Sequence, residues 1–175
     1  MRRLILLRHA KSDWSAAGTP DHERVLAPRG RKAVPPIGRY MAKHKLIPDH
    51  AIVSSAMRTR ETWELLKEAL PSEPVVSFED SIYEAAPGDI IATIAQAPRA
   101  ARVLLVVGHN PGLQMVALTL TGAGSPETRK ALTEKFPTAA LAVIDFDIPD
   151  WAAIAPGSGK LEHFATPRGI GKHAS

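Results

Sequence analysis

The sequence predicts an α/β domain, a three-layer sandwich with a mostly parallel central sheet and helices on both faces. Two observations carry this expectation. Leu4, Ile5, Leu6 and Leu7 run together without polar alternation, the mark of a strand buried on both faces, as in a parallel sheet covered by helices. Four further apolar stretches, AIVSS (51–55), VVSF (75–78), RVLLVVGH (102–109) and LAVIDFD (141–147), are separated for the most part by helical patterns. Strands alternating with helices are what βαβ units look like in sequence.

The elements follow in chain order. The first strand ends at Arg8 and His9. PRGRKAVPPIGRYMAKHK (28–45) reads as helical, with Pro35 and Pro36 expected to kink or interrupt it. After AIVSS, the residues Thr59, Trp63, Leu66 and Leu70 recur at helical spacing and Pro71 ends the run. PGDIIATIAQAP (87–98) sets Pro87 at a helix start, Asp89 in the first turn and Ile90, Ile91 and Ile94 on one face. NPGLQMVALTLTG (110–122) offers Asn110 as N-cap, Pro111 as first helical residue and Gly122 just past the end. Ala123 to Pro137 reads as a polar loop, and KLEHFAT (160–166) as a weaker last strand. Residues 1–166 are expected to form a single domain, and residues 167–175, PRGIGKHAS, a mobile tail.

Composition narrows the function classes. At 175 residues the chain is long enough for one substantial core without metals or crosslinks. It has no cysteine, which removes disulfides, thiolate metal sites and a cysteine nucleophile. The net charge of +4 is modest, and Lys and Arg are dispersed rather than interleaved with aromatics, so nucleic acid is not an expected partner. No apolar run reaches the length of a membrane span, and the short apolar start lacks a cleavage pattern. It reads as a first strand of a cytoplasmic protein.

The chemistry collects where strands end. Arg8 and His9 close the first, Ser54 and Ser55 lead from the second into a helix whose first turn carries Arg58, and Gly108, His109 and Asn110 close the fourth. In a parallel sheet these ends share one edge, where ligands of open α/β sheets bind. His109 precedes a helix amino terminus, which favours an anion. Arginines make bidentate contacts to phosphate oxygens that lysine cannot reproduce. A metal is the rival reading of a histidine pair, but no His-x-x-x-His pair or carboxylate cluster accompanies either residue, and neighbouring arginines repel a cation. No Gly-x-Ser-x-Gly elbow surrounds Ser54 or Ser55, so helix capping is their better account. The glycine-rich nucleotide-binding loops are absent. His22, His44, His50, His163 and His173 are left as surface or packing residues.

LLRHAKSDW, SSAMRTRET, IYEA and VVGHNPGL, in that order, resemble the histidine phosphatase superfamily, and the Arg-His-Ala-Lys-Ser start most resembles its short SixA-like phosphohistidine phosphatase branch. DHERVLAPRG (21–30) resembles the family's stretch between the first strand and its helix. The resemblance implies a phosphoglycerate mutase-like fold with His9 as nucleophile and Arg8, Arg58 and His109 around the phosphoryl group. Glu84, in IYEA, matches the position from which many members supply a proton donor. The implied reaction is two in-line displacements through a phosphohistidine, with no metal or other cofactor. The implied partner is a phosphorylated protein or a small phosphomonoester such as a sugar phosphate. A noncatalytic phosphate-binding or scaffolding domain is the alternative. The shortness of the chain, without the insertions of larger members, implies an open site.

Overall fold

The computed structural model describes residues 1–172. Strands β1 (Arg2–Arg8), β2 (His50–Ser54), β3 (Val75–Glu79), β4 (Val103–Gly108), β5 (Thr121–Gly124), β6 (Leu141–Phe146) and β7 (Gly159–Ala165) form one sheet. Helices α1 (Pro28–Lys43), α2 (Met57–Lys67), α3 (Pro87–Ala95), α4 (Gly112–Leu120), α5 (Pro126–Glu134) and α6 (Pro167–Lys172) flank it. The strand order is β3-β2-β4-β1-β6-β7-β5. Only β6 runs against its neighbours. The mostly parallel three-layer architecture is therefore the one expected.

Alternation along the strands builds two cores. Leu4, Leu6, Leu104 and Val106 face a cluster completed by Ile90 and Ile94 of α3, Leu113 and Val116 of α4, and Trp151. Ile5, Leu7, Leu105 and Val107 face the other, with Val34, Ile37 and Met41 of α1 and Trp63 and Leu66 of α2. An unbroken apolar run serves both layers because successive side chains point to opposite faces. On the first side the Trp151 indole donates to the Ala101 carbonyl at 2.7 Å, satisfying its one polar group in the core. At the distal end of β1, Arg3 and Asp145 stand opposite each other and pair through two contacts of 2.7 and 2.8 Å.

Several sequence expectations change. Helix α4 begins at Gly112 with Pro111 as its N-cap, so Asn110 is not the cap and Pro111 is not the first helical residue. Helix α1 runs unbroken through Pro35 and Pro36. A proline inside a helix costs about 3 kcal/mol, but Val34, Ile37 and Met41 are fully buried, at roughly 1.5 to 3 kcal/mol each. Arg31 and Lys32, whose carbonyls lose their usual N–H partners, are exposed to water. Gly122 is not a helix terminator but part of β5, where a Cβ would stand 1.9 Å from the Gly157 carbonyl oxygen. The segment expected as a loop holds β5 and α5, the helix capped by the Ser125 hydroxyl accepting from the Thr128 N–H at 3.1 Å. Residues 167–172, expected as the start of a mobile tail, form α6, with Ile170 packed on the α1 side of the sheet; residues 173–175, including His173, lie outside the described residues. Among the described residues no helix is long and apolar enough to cross a membrane.

Helix α1 is fitted closely to the chain just after His9. The Ala27 N–H donates to the Lys11 carbonyl at 2.9 Å, and a Cβ on Gly30 would lie 2.2 Å from that same oxygen. Gly30→Ala is therefore expected to destabilise the fold by at least about 2 kcal/mol, because backbone must move to admit it. Gly88→Ala, in a helical position with open space around it, should change stability by less than about 1 kcal/mol, toward stabilisation. Urea denaturation of both variants checks the contrast.

Candidate active site

The carboxyl ends of β1, β2 and β4 meet at one edge of the sheet, as the parallel pairings require. His9 follows β1 there and its backbone is held from both sides. Its N–H donates to the Gly108 carbonyl at 3.0 Å, and its carbonyl accepts from the Ala139 N–H at 3.0 Å. The ring is buried, and Nδ1 lies 2.6 Å from the Ala10 carbonyl oxygen. A carbonyl can only accept, so Nδ1 carries the proton and the lone pair of the neutral ring is on Nε2. Burial, and after it the charges of Arg58 and Arg8, push the His9 pKa down to about 4.

The cations around His9 come from different elements. Arg8, the last residue of β1, donates from Nη1 to the Phe136 carbonyl at 3.0 Å. Its Nε is buried without a partner among the described residues, and burial lowers its pKa. Arg58, in the first turn of α2, is only 5% exposed. Its guanidinium donates to the main-chain oxygen of Asp21 at 2.8 Å and to the Asp21 carboxylate at 3.0 Å. The Tyr83 hydroxyl donates to the same carboxylate. That bond, with Arg58 adding to it, holds the Asp21 pKa below the ordinary carboxylate range. Burial, and then Asp21, push the Tyr83 hydroxyl up to about 12.

His109 follows β4, with its ring centroid 5.4 Å from that of His9 and 5.5 Å from that of Tyr83. Nε2 is 2.7 Å from the hydroxyl of Ser54, while Nδ1 is buried without a partner among the described residues. Burial, then the neighbouring His9 and Arg58, push its pKa down to about 3. With the Ser54 hydroxyl donating to Nε2, Nδ1 carries the ring proton, and this N–H near Arg58 and Arg8 is a donor for an anion brought into the site.

Glu84 stands at the rim. It is exposed, with its carboxylate 3.8 Å from the Arg58 guanidinium. Its φ of 47° lies in the left-handed region that non-glycine residues seldom adopt. The site therefore brings together Arg8, His9, Arg58 and His109, with Glu84 at the edge.

Other side chains join this edge through contacts between residues distant in sequence. Asp21 reaches Arg58 across 37 positions of chain, and Tyr83 reaches Asp21 across 62. Ser54 and Ser55 do not cap α2, whose N-cap is Ala56 without a side-chain bond. The Ser54 hydroxyl meets His109; the Ser55 hydroxyl donates to Asp80 and so accepts from His22 Nε2 at 2.8 Å. His22 thus belongs to the surroundings of the site, its ring 4.9 Å from that of Tyr83. His44 and His163 cluster with Tyr40 elsewhere, and His50 bonds to Asp49. Among the described residues no group of three or more His, Asp or Glu side chains is arranged to hold a metal.

Comparison with known proteins gives this edge a family. The model of the histidine phosphatase superfamily (branch 1) matches residues 4–90, the segment holding Arg8, His9, Arg58 and Glu84. The uncharacterized protein Rv1276c of Mycobacterium tuberculosis is 33% identical over 164 residues, which cover 93% of this chain and 100% of that one. Two solved structures assigned as the phosphohistidine phosphatase SixA are each 28% identical. The one from Agrobacterium tumefaciens has a TM-score of 0.80 over 95% of this chain and 98% of its own. The one from Nakamurella multipartitia has a TM-score of 0.83 over 95% and 96%. Near-complete coverage in both directions extends the likeness from the matched amino-terminal half to the whole sheet: the chain belongs to the histidine phosphatase superfamily, in its SixA-like branch, and is a hydrolase of the phosphatase kind.

Proposed function

We propose that this chain is a cytoplasmic, metal-independent phosphatase that removes the phosphoryl group from a phosphorylated histidine of a partner protein, with His9 as covalent nucleophile. The observation that carries this reading is the His9 ring, whose Nδ1 proton is committed to the Ala10 carbonyl while Nε2 keeps its lone pair beside the buried guanidinium of Arg58. Nε2 attacks phosphorus as the partner's imidazole departs, leaving the phosphoryl group on His9. Water then attacks phosphorus, and His9 departs with release of inorganic phosphate. Arg8, Arg58 and His109 hold the phosphoryl oxygens through both steps. The fixed positive charge of Arg8 and Arg58, which needs no rearrangement, is the largest lever for such a transition state, and His109 adds a neutral hydrogen-bonding group. The protein-borne substrate is supported by the SixA-assigned structures of similar length and by the absence of the large insertions expected over an enclosed site.

A second reading, a small phosphomonoester as substrate, is favoured by Glu84 beside Arg58. An alkoxide leaves poorly and benefits from a positioned acid, whereas a phosphohistidine protonated on its free nitrogen leaves as neutral imidazole.

Three outcomes follow from the mechanism. His9→Ala should lower phosphatase activity by more than about 10³-fold, and wild-type enzyme quenched in alkali should carry an acid-labile phosphoryl group that the variant lacks. EDTA should leave the wild-type rate unchanged; loss restored by zinc or magnesium would count against the metal-free route. Glu84→Gln should slow phosphomonoester hydrolysis by about 10²-fold or more and phosphohistidine hydrolysis only weakly, as measured with both substrates side by side.

The pH dependence has a definite sign. A base acts only when deprotonated, so a pKa pushed down from 6.5 to about 4 keeps His9 competent as pH falls through 6. Ring ¹⁵N NMR of the free enzyme should show His9 and His109 still neutral at pH 5.5. A protonated His9 ring at that pH would contradict the assignment.

A further inference from the structure

Beside the cradle, on the β6–β7 side of the same sheet edge, lies a pocket of about 510 Å³ that the proposed reaction does not use. Its walls carry Lys11, Arg29, Lys135 and Arg168, with Phe164 and Thr138 among its further lining. All four basic residues are exposed, and among the described residues none has a carboxylate within 4.0 Å. Glu134 is the one acidic side chain lining the pocket, and it is already turned to Lys130 at 3.9 Å.

The pocket is tied to the site through the backbone. Lys11 is two residues beyond His9. Lys135 and Thr138 bracket the Phe136 carbonyl that receives Arg8, and Thr138 precedes Ala139, whose N–H bonds the His9 carbonyl. Arg29 enters from the first turn of α1, which is fitted against Lys11, and Arg168 from α6 just past the carboxyl end of β7. The four cations thus lie beside the phosphoryl cradle without belonging to it. A simple phosphomonoester presents no further negative charge to them.

We propose that this pocket docks an acidic segment of the phosphoprotein substrate, adjoining its phosphohistidine in sequence or in space. The proposal rests on the phosphohistidine reading of the site and adds the charge character of the partner to it. Four exposed cations at one edge, none with a carboxylate within 4.0 Å among the described residues, attract carboxylates chiefly at low ionic strength. The apolar lining, Phe164 among it, offers contact for the segment's carbon chains, and the volume admits several side chains.

The test separates docking from catalysis. A fluorescent unphosphorylated peptide with glutamates flanking a single histidine is titrated with wild-type protein at low salt, beside a control with serines in place of the glutamates. The glutamate peptide is expected to bind at least about tenfold more tightly. The triple variant R29E, K135E and R168E should erase that preference while hydrolysing p-nitrophenyl phosphate as wild type does, which also reports that it is folded. Should the triple variant fail to fold, R29E and R168E singly should each weaken binding about two- to threefold. Equal affinity of wild type for both peptides, or a preference that survives charge reversal, overturns the proposal. So does a pocket whose charge reversal weakens fructose 1,6-bisphosphate binding and leaves the peptide untouched, since that assigns it to a small polyanion. A wild type that binds the glutamate peptide yet does not dephosphorylate its phosphohistidine form supports the docking pocket and faults the proposed reaction instead.

Discussion

The position of β1 is the constraint on which the rest depends. It lies between β4 and β6, bonded to both, and four of its side chains are completely buried, two in each core. A strand held along both edges and both faces has little freedom to shift, and a shift by one residue would exchange the contents of its two cores. That rigidity passes directly to Arg8 and His9. The bonds from His9 to Gly108 and from Ala139 to His9 continue the sheet past the formal end of the strand. The ring therefore sits on a mount with the precision of a sheet rather than of a loop.

Around this mount the charges are sorted by type. Burial depresses both histidines so that they are neutral near pH 7, while a guanidinium is not deprotonated in proteins. A neutral ring and permanent cations can then stand close together without the repulsion that two imidazolium groups would add. Leaving the Arg58 guanidinium buried without a partner would cost several kcal/mol. Asp21 offsets this with one main-chain and one carboxylate oxygen. Tyr83 secures that carboxylate, linking the 3₁₀ turn Asp21–Glu23 with the segment that carries Glu84.

The sheet edge also separates tasks by side. Toward β2 and β3 lie Arg24 and Arg58 with Asp21 and Glu84, a balanced set of charges. Toward β6 and β7 lie Lys11, Arg29, Lys135 and Arg168, almost uncompensated. The balanced side suits groups that must keep fixed positions, and the unbalanced side suits attraction of a mobile partner.

The sequence by itself determined the elements whose cause is local. The two-sided run Leu4–Leu7, the helical spacing through Trp63 and Leu66, and Pro87 at a helix start were legible because each rests on neighbours a few residues apart. The fold class followed from their alternation, and Arg8, His9, Arg58 and His109 were legible because strand ends in a parallel sheet must converge. Tertiary structure alone decided what depends on distant partners. The polar strip Thr121–Gly124 became a strand because β7 offered it an edge. The two prolines of α1 were tolerated because its buried face offsets their cost and the carbonyls they leave free, those of Arg31 and Lys32, belong to exposed residues. Asp21, Tyr83 and Ser54 reached the site through contacts spanning 37, 62 and 55 residues. A hydrogen bond across such a separation leaves no periodicity in the chain, since its geometry exists only once the sheet has closed.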